Sequence, residues 1–295
     1  MKVLLTGVTG FIGQNLMPML IHKCPNIDIL TLNRDLEVAK SLYPRSKFDR
    51  CRHVYSTELD KVIEFNPEVV IHLATLTTPR QDSDIIQPLI SANIEFGVLL
   101  LDALSKCTNM KLFVNTGSFA EYRYGANKFD SAYLYAACKT AFRSFVDYYS
   151  NLYGIQCVTV IPYSVYGGNT TVKRVFDYIK ESMDSHIDVK MTRGEQVLDF
   201  IHVDDISNFF VYVITNKEKF LSLKENEREF HLGTGKGTSI RDIATIFEKK
   251  YKKKCNIEWG AKPYRKRDIM YAVAPIGNNN HAIRWRALIN LREGI

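Results

Sequence analysis

The chain has 295 residues, 46% hydrophobic and 24% charged, enough apolar material for one large core or two that share an interface, which excludes a disordered tail protein. Its 39 Lys and Arg against 32 Asp and Glu give a net charge of +7, a diffuse surplus that suits small anionic ligands and is too mild for a nucleic-acid-binding face. No run reaches the roughly 18 unbroken apolar residues of a membrane span, the first residues lack a signal-like apolar core, and the six scattered cysteines form neither a CxxC pair nor a zinc spacing. The expectation is a cytoplasmic protein with free thiols, no metal, no nucleic-acid partner and no membrane association.

The first expected strand, residues 3–5, runs into Gly7-Val8-Thr9-Gly10-Phe11-Ile12-Gly13, and a helix-like stretch at 14–21 follows. Glycines between a strand and a helix allow a tight turn, bring a pyrophosphate close to backbone N–H groups and let helix pack on strand, so the segment reads as a dinucleotide cradle. Pro18 should kink the helix. The second strand, 27–32, ends at Asn33-Arg34-Asp35, where an acidic residue would grip the adenosine ribose of NAD. Neutral Asn33 followed by Arg34 accepts a 2′-phosphate and favours NADP(H); NAD(H) stays open if Asp35 supplies the carboxylate. Further apolar runs at 69–73, 112–114 and 158–161 read as strands buried on both faces, and the intervening amphipathic stretches, notably 85–104 and 136–152, read as helices. Together these are βαβ repeats, a doubly wound α/β sheet of the Rossmann kind. After Pro162 strands become sparse, so the chain divides into a cofactor domain at 1–162 and a smaller α+β lobe at 163–295 that mainly binds substrate. A basic run at 249–254 ends the amphipathic helix 240–247 as a solvated terminus.

A Tyr with a Lys four residues later lies on one helical face, where the ammonium can lower the phenol pKa and also hold the nicotinamide ribose. Three such pairs occur: Tyr43/Lys47, Tyr124/Lys128 and Tyr135/Lys139. Pro44 and Gly125 argue against helix at the first two, whereas the segment around Tyr135 and Lys139 is helix-forming throughout. The strand before it ends at Gly117-Ser118, at the carboxyl edge of the sheet where α/β ligands bind. Ser118, Tyr135 and Lys139 form a coherent proton-transfer set.

With these residues in place, the chain resembles the extended short-chain dehydrogenase/reductases of the nucleotide-sugar epimerase/dehydratase family. Gly7 to Gly13 match TGxxGxxG, Ile71-His72-Leu73-Ala74-Thr75 resemble HLAA, and Ala92-Asn93 precede a long helix. Ser118 lies four residues before Tyr122, Pro162-Tyr163-Ser164-Val165-Tyr166-Gly167 resemble RYFNVYG, Asp199 to Asp205 resemble DFIHVDD, and Trp285 stands where LGW is expected. The resemblance implies hydride transfer between nicotinamide C4 and a hexose carbon, with Tyr135 as acid/base, Ser118 bonding the reacting oxygen and Lys139 tuning Tyr135. It implies cofactor contacts from Gly7, Gly10, Phe11, Ile12 and Gly13, from Leu73, Ala74, Thr75 and Asn93, from Pro162, Tyr163 and Val165, and from Tyr135 and Lys139. Substrate contacts are expected from Thr77, Ser118, Tyr135, Ser164 and Arg265. The helices beginning near Ile85 and Ala136 correspond to those through which the family commonly forms homodimers.

Sugar dehydratases of the family carry Asp-Glu after the catalytic Thr; Phe119-Ala120 follow Ser118 here, which speaks against dehydration. Two reactions stay open. The 17-residue spacing of Ser118 and Tyr135 resembles reductases making CDP-linked 3,6-dideoxyhexoses such as paratose or abequose, and Arg34 agrees with NADPH-dependent reduction of a 4-keto sugar nucleotide. The alternative is an NAD-dependent 4-epimerase of UDP-hexose type; a third possibility is a regulator that binds NAD(P) without chemistry. Leu198 stands where the family often has a diphosphate-binding Arg, and Arg267 replaces the Gly of the late RxGD that Arg265 resembles. Lys173, Arg174 and Arg193 are further candidates for the diphosphate, and His202 is read as a structural residue at the lobe junction.

Overall fold

The computed structural model describes residues 1–168, 172–276 and 283–295. Strands β1 (Lys2–Thr6), β2 (Asp28–Asn33), β3 (Cys51–Tyr55), β4 (Val69–His72), β5 (Leu112–Thr116) and β6 (Gln156–Pro162) alternate with helices α1 (Phe11–Lys23), α2 (Leu36–Leu42), α3 (Asp60–Phe65), α4 (Ser83–Ile90), α5 (Phe96–Ser105) and α6 (Leu134–Tyr153). Every residue of β4 and β5 is buried, as expected for parallel strands covered on both faces. β3 is the edge strand; Arg52 and His53 interrupt its apolar pattern, which hides it from a search for apolar runs. α1 stays helical through Pro18. The helix expected at 85–104 is α4 and α5 joined by a π-helical turn, Ser91–Glu95, that carries the buried Asn93, a bulge of the sort that marks functional positions.

Beyond residue 162 lie β7 (Ser164–Tyr166), α7 (Val175–Ser182), β8 (Val189–Met191), β9 (Val197–His202), α8 (Val203–Thr215), α9 (Lys217–Leu221), β10 (Glu229–Leu232), β11 (Gly237–Ser239), α10 (Ile240–Tyr251), β12 (Ile257–Trp259) and β13 (Tyr271–Ala272). The large sheet has the order β10-β6-β5-β4-β1-β2-β3 and is parallel throughout. β10 therefore departs from a division of the chain at residue 162: it extends the cofactor sheet from far downstream, and α8 supplies Phe209, Phe210 and Val213 to the core that also holds Leu16 and Leu20 of α1. The physical reason is that β6 would otherwise leave an unpaired hydrogen-bonding edge. Among the described residues the second lobe gathers the short strands β7, β11 and β13 around the six-residue β9, and pairs β8 with β12. Strand order reverses between β1 and β4, so a crevice opens at the carboxyl ends of those strands, where doubly wound sheets bind ligands.

Candidate active site

Gly7 follows β1 with φ +71°, and a Cβ there would lie 2.6 Å from the Ala74 backbone nitrogen. A Cβ on Gly13 would lie 2.4 Å from the Gly7 carbonyl oxygen, so a side chain at either place is excluded by backbone rather than by movable atoms. Gly10 caps α1 with no side-chain hydrogen bond, and the first turn carries no acidic residue. The leading N–H groups of that helix are thus left for an anion, with the positive end of the helix dipole behind them. Tyr43 is buried and donates its hydroxyl to the Val8 carbonyl at 2.7 Å, pinning the loop from α2's side. The loop fits a dinucleotide pyrophosphate.

The end of β4 is tied to the same loop. Ala74 N donates to Thr6 Oγ1 at 3.0 Å, and the Thr6 hydroxyl is also hydrogen-bonded to His72 Nδ1, 2.9 Å away. Burial holds the His72 pKa down at about 3, with Lys139 adding repulsion, so the imidazole is neutral. Leu73 is buried. Thr75 donates to Asn93 Oδ1 at 2.7 Å, Leu76 N donates to the same oxygen at 2.9 Å, and Asn93 Nδ2 returns a bond to the Leu76 carbonyl at 3.1 Å. Asn93 shapes the loop after β4; Thr77 lies exposed beside it.

At the end of β2, Asn33 donates its amide to Thr31 and to Val54 O, facing into the sheet. Asp35 caps α2 by accepting from Val38 N at 3.0 Å, which commits that carboxylate to the helix. Arg34 is exposed.

Ser118, Tyr135 and Lys139 converge at the carboxyl end of β5. Ser118 Oγ and Tyr135 Oη are 2.6 Å apart, and Lys139 Nζ donates to the Thr116 carbonyl at 2.9 Å. All three side chains are buried. Burial pushes the Tyr135 phenol up, with the Ser118 hydrogen bond pulling it down, and pulls the Lys139 ammonium down to about 8. Neither alternative Tyr/Lys pair shares this arrangement: Tyr43 binds the glycine loop, and Tyr124 is exposed.

Around this set, Tyr163 stacks on Phe119 with ring centroids 5.7 Å apart and bonds His231 Nδ1 through its hydroxyl at 3.2 Å, so its polar end is engaged in the protein. Val165 offers its carbonyl to Arg174 at 3.4 Å, Ser164 pairs with Phe200 in register, and Pro162 ends β6 opposite Leu232. Arg265 is mostly exposed, 3.6 Å from Asp268, whose other contact is the Tyr133 hydroxyl at 3.0 Å; the Tyr133 ring stacks on Tyr135. Arg174 lies over the Phe11 ring at 4.0 Å and its charge acts on Tyr135, which brings a cation of the second lobe to the cofactor loop. Sequence reading underrates it because a cation before a short helix looks like any surface charge. The polar residues of the DFIHVDD-like segment are structural: buried Asp199 accepts from Thr234 and from the Gly235 and Ala274 N–H groups, His202 Nδ1 caps α8, and Asp205 holds Leu288 N and Ile289 N.

The fold and the site define a dinucleotide-dependent α/β enzyme with a Tyr/Lys/Ser centre. A profile of the NAD dependent epimerase/dehydratase family matches residues 3–225, and the chain belongs to that family. It is similar to a CDP-abequose synthase of Salmonella typhimurium, 27% identical with 99% of this chain and 95% of that protein covered, and to one of Yersinia pseudotuberculosis, 27% identical with 73% and 74% covered. A UDP-glucose 4-epimerase of Mycolicibacterium smegmatis is also 27% identical, with 83% and 81% covered. In fold it matches the UDP-glucuronic acid 4-epimerase of Bacillus cereus, solved with UDP-glucuronic acid and NAD, at a TM-score of 0.85 and 21% identity over 100% of this chain and 96% of that one.

Proposed function

We propose that this enzyme reduces the 4-keto group of a CDP-linked deoxyhexose with NADPH. The observation that carries the reading is the buried Ser118, Tyr135 and Lys139 set, joined to a similarity with a CDP-abequose synthase along nearly the whole of both chains. The cofactor supplies the hydride. Tyr135 gives its hydroxyl proton to the sugar O4 as the C4 carbonyl becomes an alcohol, Ser118 orients that oxygen, and Lys139, charged below about pH 8, stabilises the phenolate left behind. The commitment of Asp35 to capping α2 supports NADP(H) over NAD(H), because it leaves exposed Arg34 as the charge next to the ribose position. Phe119 and Ala120 provide no acid or base after Ser118, and Glu121, fully buried, faces α6; neither dehydration nor a binding-only role is supported.

The diphosphate contacts are assigned to Arg174 and Arg265. NAD-dependent 4-epimerisation is the second reading, favoured by the similarity to the UDP-glucose 4-epimerase. A homodimer is proposed through α4–α5 and α6: Ser83–Ser105 is long and apolar enough to cross a membrane by length and composition, but its exposed Ile86, Ile90 and Leu99, beside a stripe of Phe145, Tyr148 and Leu152 at i, i+3, i+7 on α6, fit helix packing between two copies. Incubation with NADPH and a CDP-4-keto-3,6-dideoxyhexose tests the reaction. Loss of nicotinamide absorbance in step with sugar consumed is expected; no loss with any CDP-, UDP-, dTDP- or GDP-linked 4-keto sugar contradicts it.

A further inference from the structure

Behind Ser118 lies a chain of buried charges that the reaction as written does not use. The spacing Ser118-Phe119-Ala120-Glu121 is that of a capping box, and it forms: Glu121 Oε1 accepts from Ser118 N at 2.7 Å, while Ala120 N donates to Ser118 Oγ at 3.2 Å. Glu121 is completely buried, and its other oxygen accepts from Thr140 Oγ1 at 3.2 Å and from Arg143 Nε at 2.8 Å. Arg143 follows Tyr135 and Lys139 on the same face of α6, at i+8 and i+4. Its Nη1 reaches Glu229 Oε2 on β10 at 2.5 Å. Glu229 in turn accepts from the Tyr122 hydroxyl at 2.8 Å and pairs with His231 Nε2 at 2.9 Å; these partners hold its carboxyl down at about 2.

Burying ion pairs rarely gains net stability, because desolvation offsets the attraction, so the cluster calls for a reason other than holding the fold. Lys139 supplies one: its hydrogen bond goes to a neutral carbonyl, and among the groups that act on it, Glu121 is the carboxylate opposing the penalty of burial, while Arg143 repels it. Counting Lys139, Arg143, Glu121 and Glu229, two cations face two carboxylates. Other titratable groups facing this cluster are His72 of β4 and Cys138 of α6 near Lys139, Tyr122 and Tyr135 near Glu121, Asp147 of α6 near Arg143, and His231 and Tyr163 near Glu229.

We propose that Glu121 is the positioning residue of the site: clamped through Arg143 to Glu229, it fixes Ser118 by its backbone N–H and, bound to Thr140 and Arg143, holds its carboxylate against the turn of α6 that carries Lys139. The inference rests on Ser118, Tyr135 and Lys139 as the reacting set, and it gives the edge strand β10 a part in the site, since Glu229 is its first residue. Glu121→Gln keeps an acceptor for Ser118 N and removes the charge. NMR titration of the whole protein carrying ¹³C-labelled lysine, with Lys139 assigned by Lys139→Arg, reads the ammonium without any substrate. The Lys139 midpoint is expected near pH 8 in the parent and lower by about one pH unit in Glu121→Gln, with a smaller shift in the same direction in Glu229→Gln. The alkaline limb of turnover should move by the same amount. An unchanged Lys139 midpoint in both variants would overturn the proposal. If Glu121→Gln fails to fold, Glu229→Gln carries the test alone, and if the parent turns over no CDP-sugar, the reaction assignment fails while the titration still decides the role of Glu121.

Discussion

The large sheet is seven parallel strands, of which the central β4 and β5 are buried along their whole length, while the second lobe includes strands such as β8, β11 and β12 of three residues each. In the first region apolar side chains filling both faces fix the backbone, and polar groups such as Thr6, His72 and Asn93 trim the loops at its carboxyl edge. In the second, a buried carboxylate does much of the fixing: Asp199 gathers the Thr234–Gly235 turn and Ala274. On the proposed reading, the difference places the chemistry on the large sheet and sugar selection on a lobe assembled from a few polar clamps, with Arg174 reaching from the second to the first.

The sharpest way to test that division is Tyr135→Phe, which removes the proposed proton donor and leaves the packing. Turnover should fall by about 10³-fold, with cofactor affinity by fluorescence titration unchanged; full turnover would show that the chemistry is elsewhere. On the opposite side, Asp199→Ala strands several buried N–H donors at once. It should cost about 3 kcal/mol, read as a drop of roughly 5–10 °C in the thermal midpoint, and raise KM for the sugar nucleotide more than it lowers kcat.

The wild-type pH profile sharpens the account of the rigid side. In the proposed mechanism Lys139 acts as an ammonium, so kcat should decline as pH rises through about 8. Stability has its own window: the fold holds His72 neutral down to about pH 3, whereas the unfolded chain takes up that proton near pH 6.5. The unfolded state then binds more protons between those values, and stability should fall as pH falls through them, which urea titrations at pH 7 and pH 5 would show. The smallest effect is expected at the rim. Arg34→Ala should weaken NADPH by about tenfold, the order of one lost charge-assisted contact, and leave NADH unchanged; equal loss for both would return Arg34 to the surface.

Much of the first region is legible in the residues themselves. The glycines at 7, 10 and 13, the apolar runs of β1, β4, β5 and β6, and the Tyr135/Lys139 pair each carry a local signal that needs no partner far away. What stays hidden is long-range: β10 is four residues that pair with β6 across 70 positions, Arg143 is visible only as a cation on α6 until Glu121 and Glu229 close around it, and Asp199 reads as a motif residue without revealing the turn it holds. Arg174 over Phe11 is hidden for the same reason. The Ser118-to-Glu121 capping spacing is the exception, a local signal that points to the buried network.

Where the hydride goes is the question on which the functional reading stands, and NADPH deuterated at the transferring C4 position, incubated with a CDP-4-keto-3,6-dideoxyhexose, answers it by mass spectrometry of the sugar. The reading predicts one deuterium at C4 of the product for each NADPH oxidised. Interconversion of two hexoses with no net cofactor use, and the label never leaving the nicotinamide, would contradict it in favour of epimerisation.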